Sequence, residues 1–175
     1  SASGIHVSPR MREPANPRLY AQFLFYLNAG CVHDAPGRID ETYVARLQNL
    51  VEGMRPGFKA MLFAFDGIVD EQGRERLDQS MLAVPNDYTG SVARAYRGFE
   101  WIASIHPYRE DAVERLDRAV AAGARAVKWL PNAMLIDPAS PRCDRFYAAL
   151  ARHRLPLITH AGHEAAVHSA EGQSY

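Results

Sequence analysis

The sequence predicts an α/β fold, a partial (β/α)8 TIM barrel holding parallel strands 2 to 5 with their flanking helices. Three observations carry this. Four apolar runs, at 58–65, 99–105, 124–130 and 155–159, are nearly continuous rather than alternating, as in strands covered on both faces. Helical patterns separate them at a spacing that implies parallel pairing and right-handed crossovers. Each run is followed by a polar residue able to do chemistry: Asp66, His106, Lys128 with Asn132, and His160. Functional side chains at the C-terminal ends of successive strands are the signature of such a barrel. A doubly wound sheet would usually carry a glycine-rich phosphate turn after its first strand, and none is present.

In chain order, Asn16-Pro17 opens a helix through Leu19, Phe23 and Leu27 that ends near Gly30. A second helix runs over 40–54, with Tyr43, Leu47, Leu50, Val51 and Met54 expected to face inward. Residues 1–57 therefore read as a helical connection following a first strand that lies upstream, and 58–175 as βα units of the same single domain. A short helix is expected over 89–96. The next, over 110–122, places Val113, Leu116, Ala119 and Val120 on one face and stops at Gly123. Ser140-Pro141 reads as an N-cap with proline at the first helical position, and that helix continues through Phe146, Tyr147 and Leu150 to His153. Four strands cannot close an eight-stranded barrel, so an open sheet edge is expected along 58–65 or 155–159.

Composition narrows the function. The 175 residues are 47% hydrophobic, enough for a substantial core, and 20 basic residues balance 20 acidic ones. A neutral chain offers no field that would draw nucleic acid or an anionic membrane. The expected partners are a small-molecule substrate and other protein chains, with a homo-oligomer left open. Cys31 and Cys143 are far apart and give neither a disulfide framework nor a zinc-knuckle spacing. With no membrane-length apolar run and no signal-like opening, a cytoplasmic location is expected.

The strand-end residues each admit two readings. His160, in Leu-Pro-Leu-Ile-Thr-His, can offer a neutral ring nitrogen to a metal or sit hydrogen-bonded in a turn. His163 and Glu164 follow it as loop residues. Lys128, in Val-Lys-Trp-Leu-Pro, is a cation on an apolar strand, which costs free energy unless paired or neutralised. It would bind an anionic substrate, bridge metals as a carbamate, form a Schiff base, or snorkel out at the strand end. His106 precedes a proline that fixes its turn, and would orient substrate, support a metal or simply make the turn. Asp66 precedes a glycine and is a ligand neighbour or a turn aspartate. Asn86 and Tyr88, in Val-Pro-Asn-Asp-Tyr, suit a substrate-facing lid or ordinary helix capping, and Asn132 stands beside Lys128 as a further substrate contact. His6, His33 and His168 have no spaced partners.

The stretch Gly-Ala-Arg-Ala-Val-Lys-Trp-Leu-Pro from Gly123, followed by a helix and then Leu-Pro-Leu-Ile-Thr-His-Ala-Gly from Leu155, resembles the fourth-to-fifth strand region of the amidohydrolase superfamily. The likeness is to its amidohydrolase-related branch of metal-dependent hydrolases and some decarboxylases, and it runs over about 58–167. In that family the first strand carries a His-x-His pair, the fifth and sixth one histidine each, and the eighth an aspartate. The resemblance implies a divalent metal, zinc, as cofactor and metal-activated water as nucleophile. His160 matches the fifth-strand histidine, and Lys128 stands where some subgroups have a carboxylated lysine. No His-x-His occurs in the sequence, so the first-strand ligands and those of the last strands are expected outside it.

The sequence thus leads to a metal-dependent hydrolase of a small-molecule amide, ester or lactone. His106, Lys128 and Asp66 are its catalytic candidates, Asn86, Tyr88 and Asn132 its substrate contacts, and His160 with Lys128 its metal ligands. The alternatives are a metal-dependent decarboxylase, a Schiff-base lyase using Lys128, and a non-catalytic half-barrel module.

Overall fold

A computed structural model of the protein describes residues 4–32 and 37–162. The chain begins with β1 (His6–Val7), α1 (Pro9–Arg12), α2 (Pro17–Ala29) and α3 (Ile39–Glu52). It continues with β2 (Ala60–Phe63), β3 (Leu82–Ala83), α4 (Asn86–Ala95), β4 (Phe99–Ile102) and α5 (Ala112–Ala121). It ends with β5 (Val127–Trp129), α6 (Pro131–Met134), a 3-10 turn (Pro141–Cys143), α7 (Asp144–His153) and β6 (Leu157–Thr159).

Strands β2, β4, β5 and β6 coincide with the four apolar runs and stand side by side in chain order. β2 pairs with β4 in parallel and β5 with β6 in parallel. A parallel bridge from Ala103 to Val127 joins the two pairs, with Ala103 N–H donating to the Ala126 carbonyl and Lys128 N–H to the Ala103 carbonyl. The described strands do not close on themselves. A short antiparallel pair of β1 with β3 was not legible in the sequence, because two-residue strands carry no periodicity.

One face of this sheet holds the core. Trp101, Ala103, Val127 and Trp129 pack against Leu116 and Ala119 of α5 and Phe146 and Leu150 of α7. Trp129 stacks on Phe146 with ring centroids 5.5 Å apart, and its indole N–H donates to the Ile105 carbonyl at 2.8 Å. Burial of each such large side chain contributes on the order of 2 kcal/mol. Gly123 follows α5 at φ 87°, where a side chain would be strained, so the helix stops where the sequence placed its end. The Ser140 hydroxyl caps as expected, accepting from Arg142 N–H, but the first turn is 3-10 before α7 proper begins.

The N-terminal helices correct the sequence reading. Neither α2 nor α3 has a buried residue, and Tyr43, Leu50 and Met54 are 45%, 48% and 50% exposed rather than inward-facing. The apolar faces are real, but they turn toward a cleft of about 780 Å³ instead of a filled core. Phe23, Leu27, Tyr43 and Leu47 wall it on the helix side, and Met61 and Phe63 on the strand side. Val51 meets the sheet layer closely: a methyl group built on Gly98 would lie 2.5 Å from its Cγ1. Among the described residues, Met61 and Phe63 on β2 and Ile158 on β6 are left more than a third exposed at the two ends of the strand order. No described helix is long and apolar enough to cross a membrane.

Candidate functional site

The segments leaving the C-terminal ends of the parallel strands carry two polar clusters. The first centres on Asp66, just past β2. Its carboxylate accepts from Arg109 twice, Nη2 to Oδ1 at 2.6 Å and Nε to Oδ2 at 2.9 Å. It also accepts from the backbone N–H of His106 at 2.8 Å and of Gly67 at 3.0 Å. Arg109 reaches on to Glu75 at 2.7 Å, and its carbonyl accepts from Arg145. Burial works against the guanidinium charge, but the Asp66 and Glu75 carboxylates outweigh it and hold the group protonated above its ordinary range. Four hydrogen bonds occupy the acceptor capacity of Asp66, which makes it a tie between two strand ends rather than a free base.

His106 is fully buried. Its Nε2 lies 2.8 Å from the Met134 carbonyl, and its Nδ1 accepts from Tyr108 N–H at 3.3 Å. That pattern requires the neutral Nε2–H tautomer, and burial lowers the pKa to about 4 despite the opposing pull of the Met134 hydrogen bond. Both ring nitrogens are engaged by the protein. The described bonds position both side chains: those of His106 engage both of its ring nitrogens, while Asp66 also lines a pocket of about 520 Å³.

The second cluster lies along β4, β5 and β6. Asn86, the first residue of α4, treats the peptide of Ser104 as a strand neighbour would. Its Nδ2 donates to the Ser104 carbonyl at 2.8 Å, and its Oδ1 accepts from Ser104 N–H at 2.9 Å. Ser104 Oγ in turn donates to the Lys128 carbonyl at 3.0 Å. Lys128 is the register partner of Ile158, flanked by Val127 and Trp129, whose side chains are buried on the core face. Alternation along a strand therefore sends Lys128 to the opposite face, and sends Ile158 and His160 there too. The His160 N–H continues the ladder by donating to the Trp129 carbonyl at 3.1 Å. Among the described residues, the half-buried Lys128 ammonium makes no hydrogen bond or ion pair. Asn132 Nδ2 donates to the Gly162 carbonyl at 3.1 Å and so ties α6, which follows β5, to the segment after β6.

The structure thus brings Lys128, Asn132 and His160 to one end of adjacent strands, and it ties Asp66 to the backbone of His106 and to Arg109 in a separate network. Asn86 joins the first group through the Ser104 backbone, and it also lines the pocket beside Asp66. Tyr88 points elsewhere: it lines the apolar cleft, and burial followed by the carboxylate of Asp40 on α3 raises its phenol pKa. His33, His163, Glu164 and His168 lie outside the described residues. Arg109, Glu75 and Ser104 escaped the sequence reading. Arg109 and Asp66 are 43 positions apart, so no local spacing announces the pair.

The fit to a divalent metal is incomplete within these residues. A zinc site takes three or four nitrogen, oxygen or sulfur donors, whereas this end of the sheet supplies one imidazole, and a protonated lysine has no lone pair to give. Among the described residues, no group of three His, Cys, Asp or Glu is placed to hold an ion.

The family model described as Amidohydrolase matches residues 64–173, well over half of the chain and all of the strand-end segments just described. No curated protein and no solved structure matches it.

Proposed function

Because the chain belongs to the amidohydrolase family, we propose that it serves as a hydrolase of an amide, ester or lactone bond in a small molecule, working at the C-terminal ends of β5 and β6. The observation that carries this reading is the parallel register of those strands, which turns Lys128 and His160 to the same face. An ammonium without a described partner is suited to hold a substrate carboxylate or polarise a carbonyl oxygen. The imidazole beside it is suited to move the proton of an attacking water. Asn132 holds the two segments that flank this face, so it fixes the walls of the site. A divalent ion, zinc in the first instance, would find one ligand in His160, and the chemistry it supplies when bound is activation of water. The described residues do not complete that ligand set, and the roles given to Lys128 and His160 stand without it.

A panel of esters, lactones and amides, each with and without a carboxylate, tests the reading. Lys128→Met and His160→Ala should each lower turnover by roughly a hundredfold or more, with far-UV circular dichroism unchanged. Activity retained in both variants would remove this face from the reaction. Release of carbon dioxide in place of alcohol or amine would identify the decarboxylase reading, which the same unpartnered ammonium also suits.

A further inference from the structure

Residues 69–75 form a hairpin past β2 that is held down by charge more than by apolar burial. Val69 bridges Glu75 in antiparallel fashion, and Asp70 closes the tip by accepting from Gln72 N–H, Arg74 N–H and Arg74 Nε. Of these residues only Val69 is buried. The hairpin is rooted where Arg76 N–H donates to the Ile68 carbonyl and Ile68 N–H to Ser80 Oγ.

Its free end is fastened at three points, all on segments that follow other strands. Glu75 takes a hydrogen bond from buried Arg109 at 2.7 Å while staying 42% exposed itself. The Glu71 carbonyl accepts from Arg142 at 3.1 Å, and that guanidinium lies 4.0 Å above the Tyr108 ring. Gly73, at φ 77°, seats directly on the backbone after β4: a methyl group there would lie 2.6 Å from the Tyr108 carbonyl oxygen and 3.1 Å from Glu110 N.

We propose that residues 69–75 are a flap, fastened by Arg109 and Arg142, that opens locally over the ends of β2 and β4 without unfolding the core. Segments with little apolar burial and partly exposed fastenings are the ones that open below the global unfolding free energy. A two-stranded hairpin released from its seat is marginal in water, so release also frees its own amides. The attachment is salt-sensitive, because Glu75 is exposed enough for ions to screen it. That the flap gates access to a substrate rests on the proposed site; that it opens does not.

Hydrogen exchange of the whole chain, followed by mass spectrometry, reads the opening without any turnover. Glu75→Gln leaves Arg109 its bonds to Asp66 and takes the charge off the flap fastening, leaving only a neutral amide acceptor there. It should speed exchange over 69–76 by roughly tenfold, the margin of a charge-assisted hydrogen bond over a neutral one, with 99–105 and 112–121 unchanged. Gly73→Ala, which forces the tip off the Tyr108 carbonyl, should do the same by an uncharged route. Added salt should accelerate the parent but not Glu75→Gln. Exchange over 69–76 that stays at the parent rate in both variants, or that rises only in step with the core peptides, overturns the flap.

Discussion

Arg109 grips Asp66 from 43 residues away, with both side chains no more than a tenth exposed and the guanidinium donating to each carboxylate oxygen. Removing one partner of such a pair strands a charge in a poorly solvated place. Arg109→Met should therefore cost about 3–5 kcal/mol of unfolding free energy by urea titration. Pairing it with Asp66→Asn should cost less than the two single losses together, since the second change removes the stranded charge. Strict additivity would mean that the contact carries no coupling.

The buried ring of His106 makes stability depend on pH in a defined window. Its folded pKa of about 4 lies below the ordinary 6.5, so the unfolded chain binds the proton more readily between those values. Its contribution is complete above pH 6.5 and lost as pH falls toward 4. At about 1.4 kcal/mol per tenfold, that loss totals about 3 kcal/mol. Urea midpoints at pH 7, 5.5 and 4.5 should fall more steeply for the parent than for His106→Gln. Parallel slopes would show that other groups set the dependence.

Trp129 combines the largest buried surface on β5 with a hydrogen bond to the Ile105 carbonyl. Trp129→Phe keeps an aromatic ring against Phe146 but leaves that carbonyl unsatisfied. A loss of about 1–3 kcal/mol is expected, with the larger loss of about 3–5 kcal/mol reserved for Trp129→Ala. Thermal or urea unfolding of the two variants side by side checks the order.

Where the N-terminal region meets the sheet layer, Gly98 and Val51 make a lock. A methyl group on Gly98 would need α3 to move, so Gly98→Ala should cost about 1–3 kcal/mol by overpacking. Val51→Ala in the same chain should recover most of it. A double variant no better than Gly98→Ala would mean that the strain lies in the backbone at 98.

How far the sequence reached follows from what each signal measures. The parallel strands and α5 were legible because continuous apolar runs, a helical apolar stripe and a stop glycine are local and agree with one another. The inward face assigned to α3 was not, because periodicity reports which side of a helix is apolar and not whether anything lies against it. In the site, Asn132 and His160 drew attention because they stand just past apolar runs, and Lys128 because it is a cation within one. Asp66 and His106 occupy equivalent places, yet their partners, Arg109 and the Met134 carbonyl, come from distant segments that no spacing rule connects. Asn86 was noticed for its side chain, but its partner is a peptide group, which carries no mark in the sequence.

That last contact makes the fold sensitive to a single atom, the amide nitrogen of Asn86. The Asn86 amide can face the Ser104 carbonyl only while it keeps its nitrogen, and a carboxylate in its place replaces that donor with a second oxygen. The altered side chain has the same shape but sets a negative charge 2.8 Å from a carbonyl oxygen it formerly bonded, so the first turn of α4 must lift from β4. Asn86→Asp should thus loosen this helix before it touches the tryptophan-lined core.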